Sequence, residues 1–115
     1  MTEQTRPISW LKAARKEFEG FPVDAQEICW AALTVAAEGG RADIAKPMTG
    51  MGSGVFEVAL GFQGNAFRVM YAVQIDHDLW VIHAFQKKSK TGIKTPQQDV
   101  DLIKERLKRL KEILR

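Results

Sequence analysis

Three consecutive segments in the middle of the chain alternate apolar and other side chains with a period of two. They cover residues 55–62, 67–75 and 79–86, and two short polar turns, at 63–65 and 76–78, separate them. A period of two is typical of a β-strand, and strands that follow one another through short turns pair antiparallel. The pattern therefore predicts an antiparallel meander, and such a sheet needs a second layer to cover its apolar face.

Residues near the N-terminus have helical periodicity instead. Apolar side chains recur at spacings of 3, 4 and 3 from Leu11 through Ala14 and Phe18 to Phe21, which places them on one face of a helix. The sequence Gly-Phe-Pro at 20–22 ends this helix. A second helix follows after so short a break, so the two are expected to form an antiparallel hairpin.

The second predicted helix begins at Asp24, a plausible N-cap, and ends at the glycine pair 39–40. Several alanines along it allow close packing against a neighbouring element. Its expected buried stripe is apolar and consists of Ile28, Ala32, Val35 and Ala36. This helical hairpin is predicted to cover one face of the meander.

The remaining segments complete the fold prediction. Residues 6–10 are predicted as a short strand and residues 46–54 as a loop. Thr95 is the expected N-cap of a C-terminal helix with Pro96 at its first position, and its apolar seam consists of Val100, Ile103, Leu107, Leu110 and Leu114. The order β-α-α-β-β-β-α predicts an α+β two-layer domain, with residues 1–115 forming a single domain.

Composition narrows the classes of function. No apolar run is long enough to cross a bilayer and the N-terminus does not resemble a secretory signal, so a cytoplasmic location is expected. The single cysteine, Cys29, is interpreted as a small buried residue, and no cluster suggests a metal. Charge is uneven: residues 1–85 carry 7 basic and 10 acidic residues, net −3, whereas residues 86–115 carry 10 and 4, net +6. A basic C-terminal part favours a polyanionic partner.

Strand alternation groups the polar strand residues. If the apolar residues of the first two strands face the helices, Glu57 and Arg68 face away from them. The last strand is ambiguous: one register adds His83 and Lys87 to the same surface, together with Val81 and Phe85, and directs Trp80, Ile82 and Ala84 towards the helices. The converse register buries His83 and Phe85.

Each of these residues also has a purely structural interpretation. Glu57 and Arg68 on neighbouring strands fit a cross-strand ion pair, and a histidine within an apolar strand fits a hydrogen-bonded, half-buried side chain. The lysines at 87, 88, 90 and 94 fit a solvated sheet edge. From residues alone, RNA binding, ribonuclease activity and binding of an acidic protein remain open.

The combination of motifs resembles a known family. "KPMTGMGSGVFEVALGFQGNAFRVMY", "LWVIHAFQKKSKTGIKTP" and the terminal helix "DLIKERLKRL" follow one another and resemble the HigB-like, phage-related branch of the RelE toxin superfamily. The resemblance covers nearly the whole chain. It implies the RelE-like fold and a bacterial type II toxin, a ribonuclease that cuts mRNA on the ribosome and uses no metal or organic cofactor. It also implies a cognate antitoxin, often a helix-turn-helix protein.

The resemblance implies roles for individual residues. Arg68 matches the strand arginine and would stabilise the transition state, while Lys87 and Lys88 match the basic cluster that holds phosphate or supplies a proton. Glu57 and His83 are the candidates for the base. RelE itself has lysines where this chain has Glu57 and Ala59, and a tyrosine after the last strand that is missing here, so its acid and base do not carry over.

Further contacts to RNA are expected from Lys46, Lys90 and Lys94, with a strong dependence on salt. Two alternatives use the same fold without catalysis. One is an RNA-binding or regulatory protein, and the other is a module whose basic face receives an acidic partner segment.

Overall fold

The computed structural model describes residues 5–88 and 94–114 of the chain. In chain order its elements are β1 (Ile8–Trp10), α1 (Lys12–Glu19), α2 (Val23–Ala37), β2 (Ala45–Pro47), β3 (Val55–Phe62), β4 (Asn65–Ala72), β5 (Leu79–Lys88) and α3 (Gln97–Ile113). None of the helices in these two ranges is long and apolar enough to cross a membrane.

The strands form one five-stranded sheet in the order β1-β5-β4-β3-β2. β3, β4 and β5 form the predicted antiparallel meander, and β1 pairs parallel to the start of β5. The α+β class, the element order of the meander and the helical hairpin are therefore confirmed. β2 lies in a segment that was predicted to be a loop, and its three residues pair antiparallel with β3. A strand of three residues followed by glycines is too short to show the alternation by which strands are predicted from sequence.

The α1–α2 hairpin covers one face of the sheet, where the larger core cluster lies. Phe18 packs there against Phe21, and Phe21 packs against Phe67 of β4. Tyr71 and the fully buried Cys29 belong to the same cluster. Burial raises the pKa of the Cys29 thiol to about 12, so it behaves as a small apolar group.

The predicted details of α2 were partly wrong. Ile28 and Val35 are each 39% exposed, and the buried residues are instead Ala25, Cys29, Ala32, Leu33, Ala36 and Ala37. The buried face of the helix therefore consists mainly of alanines, together with Cys29 and Leu33. Asp24 is not the N-cap, because the helix begins after Pro22 and no side chain caps it.

The ambiguity of β5 is resolved by a β-bulge. Met70 pairs with His83 and Tyr71 with Val81, so Ile82 is an extra residue at this point. Before the bulge the converse register holds, and Val81 packs under the hairpin. After it the first register holds, and His83 lies on the opposite face. Neither uninterrupted alternation was right, since a bulge shifts the side-chain period by one residue.

The C-terminal helix α3 covers the opposite face of the sheet. Its Ile103, Leu107 and Leu110 pack with Met70 and Ile82, among others, in a second core cluster. This extra layer buries much of the face that was expected to be open. Thr95 is not the N-cap of α3, because that position is held by Pro96 and no side-chain cap is made; the Thr95 hydroxyl bonds to the sheet instead.

Candidate functional site

A charged pair lies on the face of the sheet that α3 covers. Arg68 stands opposite Ala59, and Glu57 stands opposite Met70, so the two charged residues are diagonal neighbours on adjacent strands. Arg68 Nε lies 3.2 Å from Glu57 Oε2. The residues are only 6% and 7% exposed, respectively. The prediction that they share a face is confirmed, although the ion pair is buried.

A third side chain completes this cluster. Thr95, in the segment just before α3, donates a hydrogen bond of 2.9 Å from its hydroxyl to Glu57 Oε2. Arg68 Nη1 also donates to the carbonyl of Phe67, at 3.2 Å. One carboxylate oxygen of Glu57 thus receives both Thr95 and Arg68, and Oε1 is the oxygen that neither of these contacts uses. We call Glu57, Arg68 and Thr95 the strand cluster.

Exposed lysines surround the strand cluster. Lys46 of β2 stands directly opposite Glu57, and residues opposite each other in an antiparallel pair project from the same face. Lys87 follows Phe85, the partner of Arg68, by two positions and therefore projects from this face as well. Lys94 directly precedes Thr95, and all three lysines are exposed.

The two neighbouring lysines at the end of β5 are separated by the sheet. Lys87 pairs with Ala66, and Lys88 pairs with Asn65. Successive strand residues point to opposite faces, so the backbone directs Lys88 away from the strand cluster. The prediction that both lysines hold one phosphate is therefore not favoured by the register. Lys90, the remaining predicted RNA contact, lies outside the described residues.

His83 belongs to a second group of charges. Its Nε2 lies 2.7 Å from Asp99 Oδ1, and its Nδ1 lies 3.1 Å from Glu17 Oε1 and 3.0 Å from Arg106 Nη1. Arg106 also bonds both oxygens of Glu17 at 3.0 Å. These four residues, from α1, β5 and α3, are called the helix cluster. His83 is only 2% exposed.

The helix cluster fixes the charges of its members. Burial alone would lower the pKa of His83, but hydrogen bonds to Glu17 and Asp99 outweigh burial, so the pKa is raised. For Glu17, burial acts to raise the pKa, yet bonds from His83, Arg106 and the Ala84 amide lower it to about 2. Both effects favour a positive imidazolium between carboxylates. A histidine held in this way is a poor proton acceptor, and the geometry favours the structural interpretation of His83.

The helix cluster also protects the edge of β5. β1 pairs with β5 only as far as Val81. Beyond it, Glu17 Oε1 accepts a hydrogen bond from the amide of Ala84 at 3.2 Å, and Arg106 donates to the carbonyl of Ile82 at 3.0 Å. Side chains from two helices thus replace the missing neighbouring strand, which satisfies backbone groups that would otherwise be buried without partners.

Two of the contacts could have been found from the sequence. Asp99 and Arg106 lie on the same helical stripe as Ile103, Leu107 and Leu110, so charged residues interrupt the apolar seam of α3. Glu17 likewise directly precedes the buried Phe18. A charge on a buried stripe predicts a partner. Nothing local to Thr95 predicts its contact with Glu57, because the two are 38 residues apart.

No group of three or more His, Cys, Asp or Glu side chains suited to hold a metal occurs within residues 5–88 and 94–114. The strand cluster combines one carboxylate, one guanidinium, one hydroxyl and surrounding ammonium groups. Such a set can attract a phosphate and accept a proton at Glu57 Oε1.

Comparison with known proteins identifies the family and the fold of the chain. The model of a family described as "Phage derived protein Gp49-like (DUF891)" matches residues 16–108. A search of curated proteins found no significant match.

Two solved structures are similar to the chain. The first is a mutant of the E. coli toxin RelE in the free state, with 17% identity, a TM-score of 0.63, and coverage of 91% of this chain and 97% of that chain. The second is the toxin–antitoxin complex RelBE2 from Mycobacterium tuberculosis, with 12% identity, a TM-score of 0.53, and coverage of 76% and 98%. The predicted RelE-like fold is confirmed, and the narrower assignment to the HigB-like branch stays a prediction.

Proposed function

Because the chain belongs to the Gp49-like family of phage-derived proteins and has the fold of RelE toxins, we propose that it is the toxin of a bacterial toxin–antitoxin pair. In this proposal it is an endoribonuclease that cuts mRNA on the ribosome without a metal ion. The observation that carries the proposal is a fold shared with RelE over 91% of the chain, with a carboxylate–guanidinium pair beneath exposed lysines on one sheet face.

The reaction would use the RNA's own 2′-hydroxyl as nucleophile. Glu57 Oε1 accepts the proton of this hydroxyl, and the oxygen attacks the adjacent phosphorus. The bond to the 5′-oxygen of the next nucleotide then breaks, which leaves a cyclic phosphate. The charge of Arg68 stabilises the phosphorane, and Lys87 holds the phosphate and supplies a proton to the leaving oxygen. Lys46 and Lys94 attract the neighbouring phosphates.

The proposed partners follow from the same relatives. One solved structure is described as a toxin–antitoxin complex. We propose that this chain also has a cognate antitoxin, and that it is of the helix-turn-helix type. The antitoxin would silence the toxin in the cytoplasm, and the mRNA on the ribosome would be the substrate.

Induced expression in a bacterial host tests the proposal. The intact chain should arrest growth and shorten mRNA, and Lys87→Ala should relieve both effects. Lys88→Ala is the matched control, since it removes the same charge one residue away on the other face of the sheet. Equal effects of the two variants would point to a diffuse attraction to RNA rather than a site.

A second function is favoured by one specific observation. The Glu57–Arg68 pair is nearly buried, which suits a structural role better than that of an exposed catalytic group, so the non-catalytic RNA-binding protein is the alternative. The purified protein would then bind RNA and leave it intact, and Glu57→Gln would not change binding. Accumulation of cut RNA with wild-type protein, but not with Glu57→Gln, excludes this alternative.

A further inference from the structure

We propose that Thr95 is a positioning residue for Glu57 and that it couples the start of α3 to the site; this inference rests on the proposed function. Its hydroxyl donates to Glu57 Oε2 across the face of the sheet, at 2.9 Å. The residue lies just before Pro96, the N-cap of α3. It was predicted to cap the helix, and its hydroxyl is used for this long-range contact instead.

The contact selects the reactive oxygen of Glu57. Thr95 and Arg68 both bond Oε2, at 2.9 and 3.2 Å, from the helix side and from the neighbouring strand. A carboxylate held at one oxygen by two donors on different elements has little freedom to rotate, so Oε1 keeps a fixed direction. Fixed geometry of a proton acceptor is a large part of its catalytic effect.

The position of Thr95 is itself secured by the first turn of α3. Asp99, four residues further along, bonds the buried His83 of β5 at 2.7 Å, and the amides of Asp99 and Val100 both bond the carbonyl of Pro96 at 3.0 Å. The start of α3 is thus attached to two strands, to β3 through Thr95 and to β5 through Asp99. A shift of this turn would move the hydroxyl that holds Glu57.

The inference distinguishes Thr95 from a residue that only stabilises the fold. Thr95→Val keeps the shape of the side chain and removes the donor, whereas Thr95→Ser keeps the donor and removes a methyl group. A hydrogen-bond role therefore predicts that serine restores function. A packing role predicts the reverse order, with valine closer to the wild type.

The test is steady-state RNA cleavage by the purified full chain, with unfolding by urea measured in parallel. Thr95→Val should lower kcat about 10- to 100-fold, the loss expected for a hydrogen bond to a charged group, with KM nearly unchanged. Thr95→Ser should stay within about threefold of the wild type. Thr34→Val is the matched control, because the Thr34 hydroxyl bonds only within α2, to the carbonyl of Trp30, and it should keep full activity.

The outcomes separate this inference from the proposed function. An active wild type with an equally active Thr95→Val, or a valine variant better than serine, overturns the role of Thr95 and leaves the toxin proposal intact. A wild type that cuts no RNA on ribosomes or in solution overturns both. A lower kcat for Thr95→Val with an unchanged midpoint of unfolding supports positioning, because a purely structural residue would change stability first.

Discussion

The strand cluster and the helix cluster both involve the face of the sheet that α3 covers. They use similar residue types and differ in the contacts that these residues make. The strand cluster joins Glu57 and Arg68 on neighbouring strands to Thr95, and exposed lysines surround it. The helix cluster places three charges from α1 and α3 around a histidine of β5 that is 2% exposed. The difference teaches that burial of charge alone does not mark an active site. What separates the two is the exposed lysines beside the strand cluster, Lys46, Lys87 and Lys94, which can attract a phosphate.

The largest expected effect concerns the strand cluster. Glu57→Gln keeps the shape of the side chain and removes the proton acceptor, so RNA cleavage should fall about 10²- to 10⁴-fold. Glu27→Gln, at an exposed carboxylate of α2, is the control and should cut RNA like the wild type. Cleavage rates are measured with purified protein and ribosome-bound mRNA. A Glu57→Gln protein with full activity would show that another group takes the proton.

A comparable change in the helix cluster should act on stability. Arg106→Met removes the guanidinium that bonds Glu17 and the Ile82 carbonyl. Because this pair is only partly buried, loss of these charged hydrogen bonds should cost about 1.5–3 kcal/mol. The free energy of unfolding in urea measures this loss. Arg109→Met is the matched control, since Arg109 is exposed and its ion pair with Glu105, one helical turn away, is long at 3.8 Å. Its loss should lower the free energy of unfolding by less than about 1 kcal/mol. Equal losses would contradict the difference between the clusters.

The helix cluster also predicts how stability depends on pH. The pKa of His83 is raised above its usual 6.5, so its contribution is complete below pH 6.5 and is lost as the pH rises through the raised value. The pKa of Glu17 is lowered from 4.5 to about 2, so its contribution is complete above pH 4.5 and is lost as the pH falls towards 2. Their joint contribution should therefore be greatest between about pH 4.5 and 6.5.

Urea unfolding at a series of pH values measures this dependence. His83→Gln should remove the loss of stability above pH 6.5, because glutamine does not titrate. His77→Gln is the control at an exposed histidine and should retain that loss. If the alkaline loss persisted unchanged in His83→Gln, another group would be responsible for it.

The smallest expected effect separates two lysines on opposite sheet faces. Lys87→Ala should reduce the slope of log affinity against log salt for single-stranded RNA by about 0.7, the value for one phosphate contact. Lys88→Ala should leave the slope nearly unchanged, because the register directs it to the other face. Binding is measured by fluorescence anisotropy at several salt concentrations with uncleavable RNA. A larger change in slope for Lys88→Ala than for Lys87→Ala would indicate that RNA binds on the sheet face covered by the α1–α2 hairpin.

Much of the fold could be predicted because it depends on local patterns. The alternation in β3 and β4 and the helical spacing around Phe18 in α1 each repeat over several residues, and all three elements were found. β2 was missed because a three-residue strand is held by its neighbour rather than by its own pattern. The buried side of α2 was misassigned because it consists mainly of small alanines, whereas the larger Ile28 and Val35 remain partly exposed.

The candidate site was predictable only in part. Strand alternation correctly placed Glu57 and Arg68 on one face, and the bulge at Ile82 then decided the side of His83. These residues fall into two clusters because Thr95 bonds Glu57 of β3, whereas Asp99 bonds His83 of β5. Contacts over such distances in sequence leave no local periodicity.

By itself, the sequence determined the element types apart from β2, the basic C-terminal part and the set of charged residues available for a site, since these follow from period and composition. The tertiary structure decided which charges meet, because the position of α3 over the sheet sets their partners. That packing buries His83 between carboxylates and holds Glu57 by its Oε2. Free energy gained by burying the apolar seam of α3 fixes this position, and the polar contacts form where the packing brings their partners together.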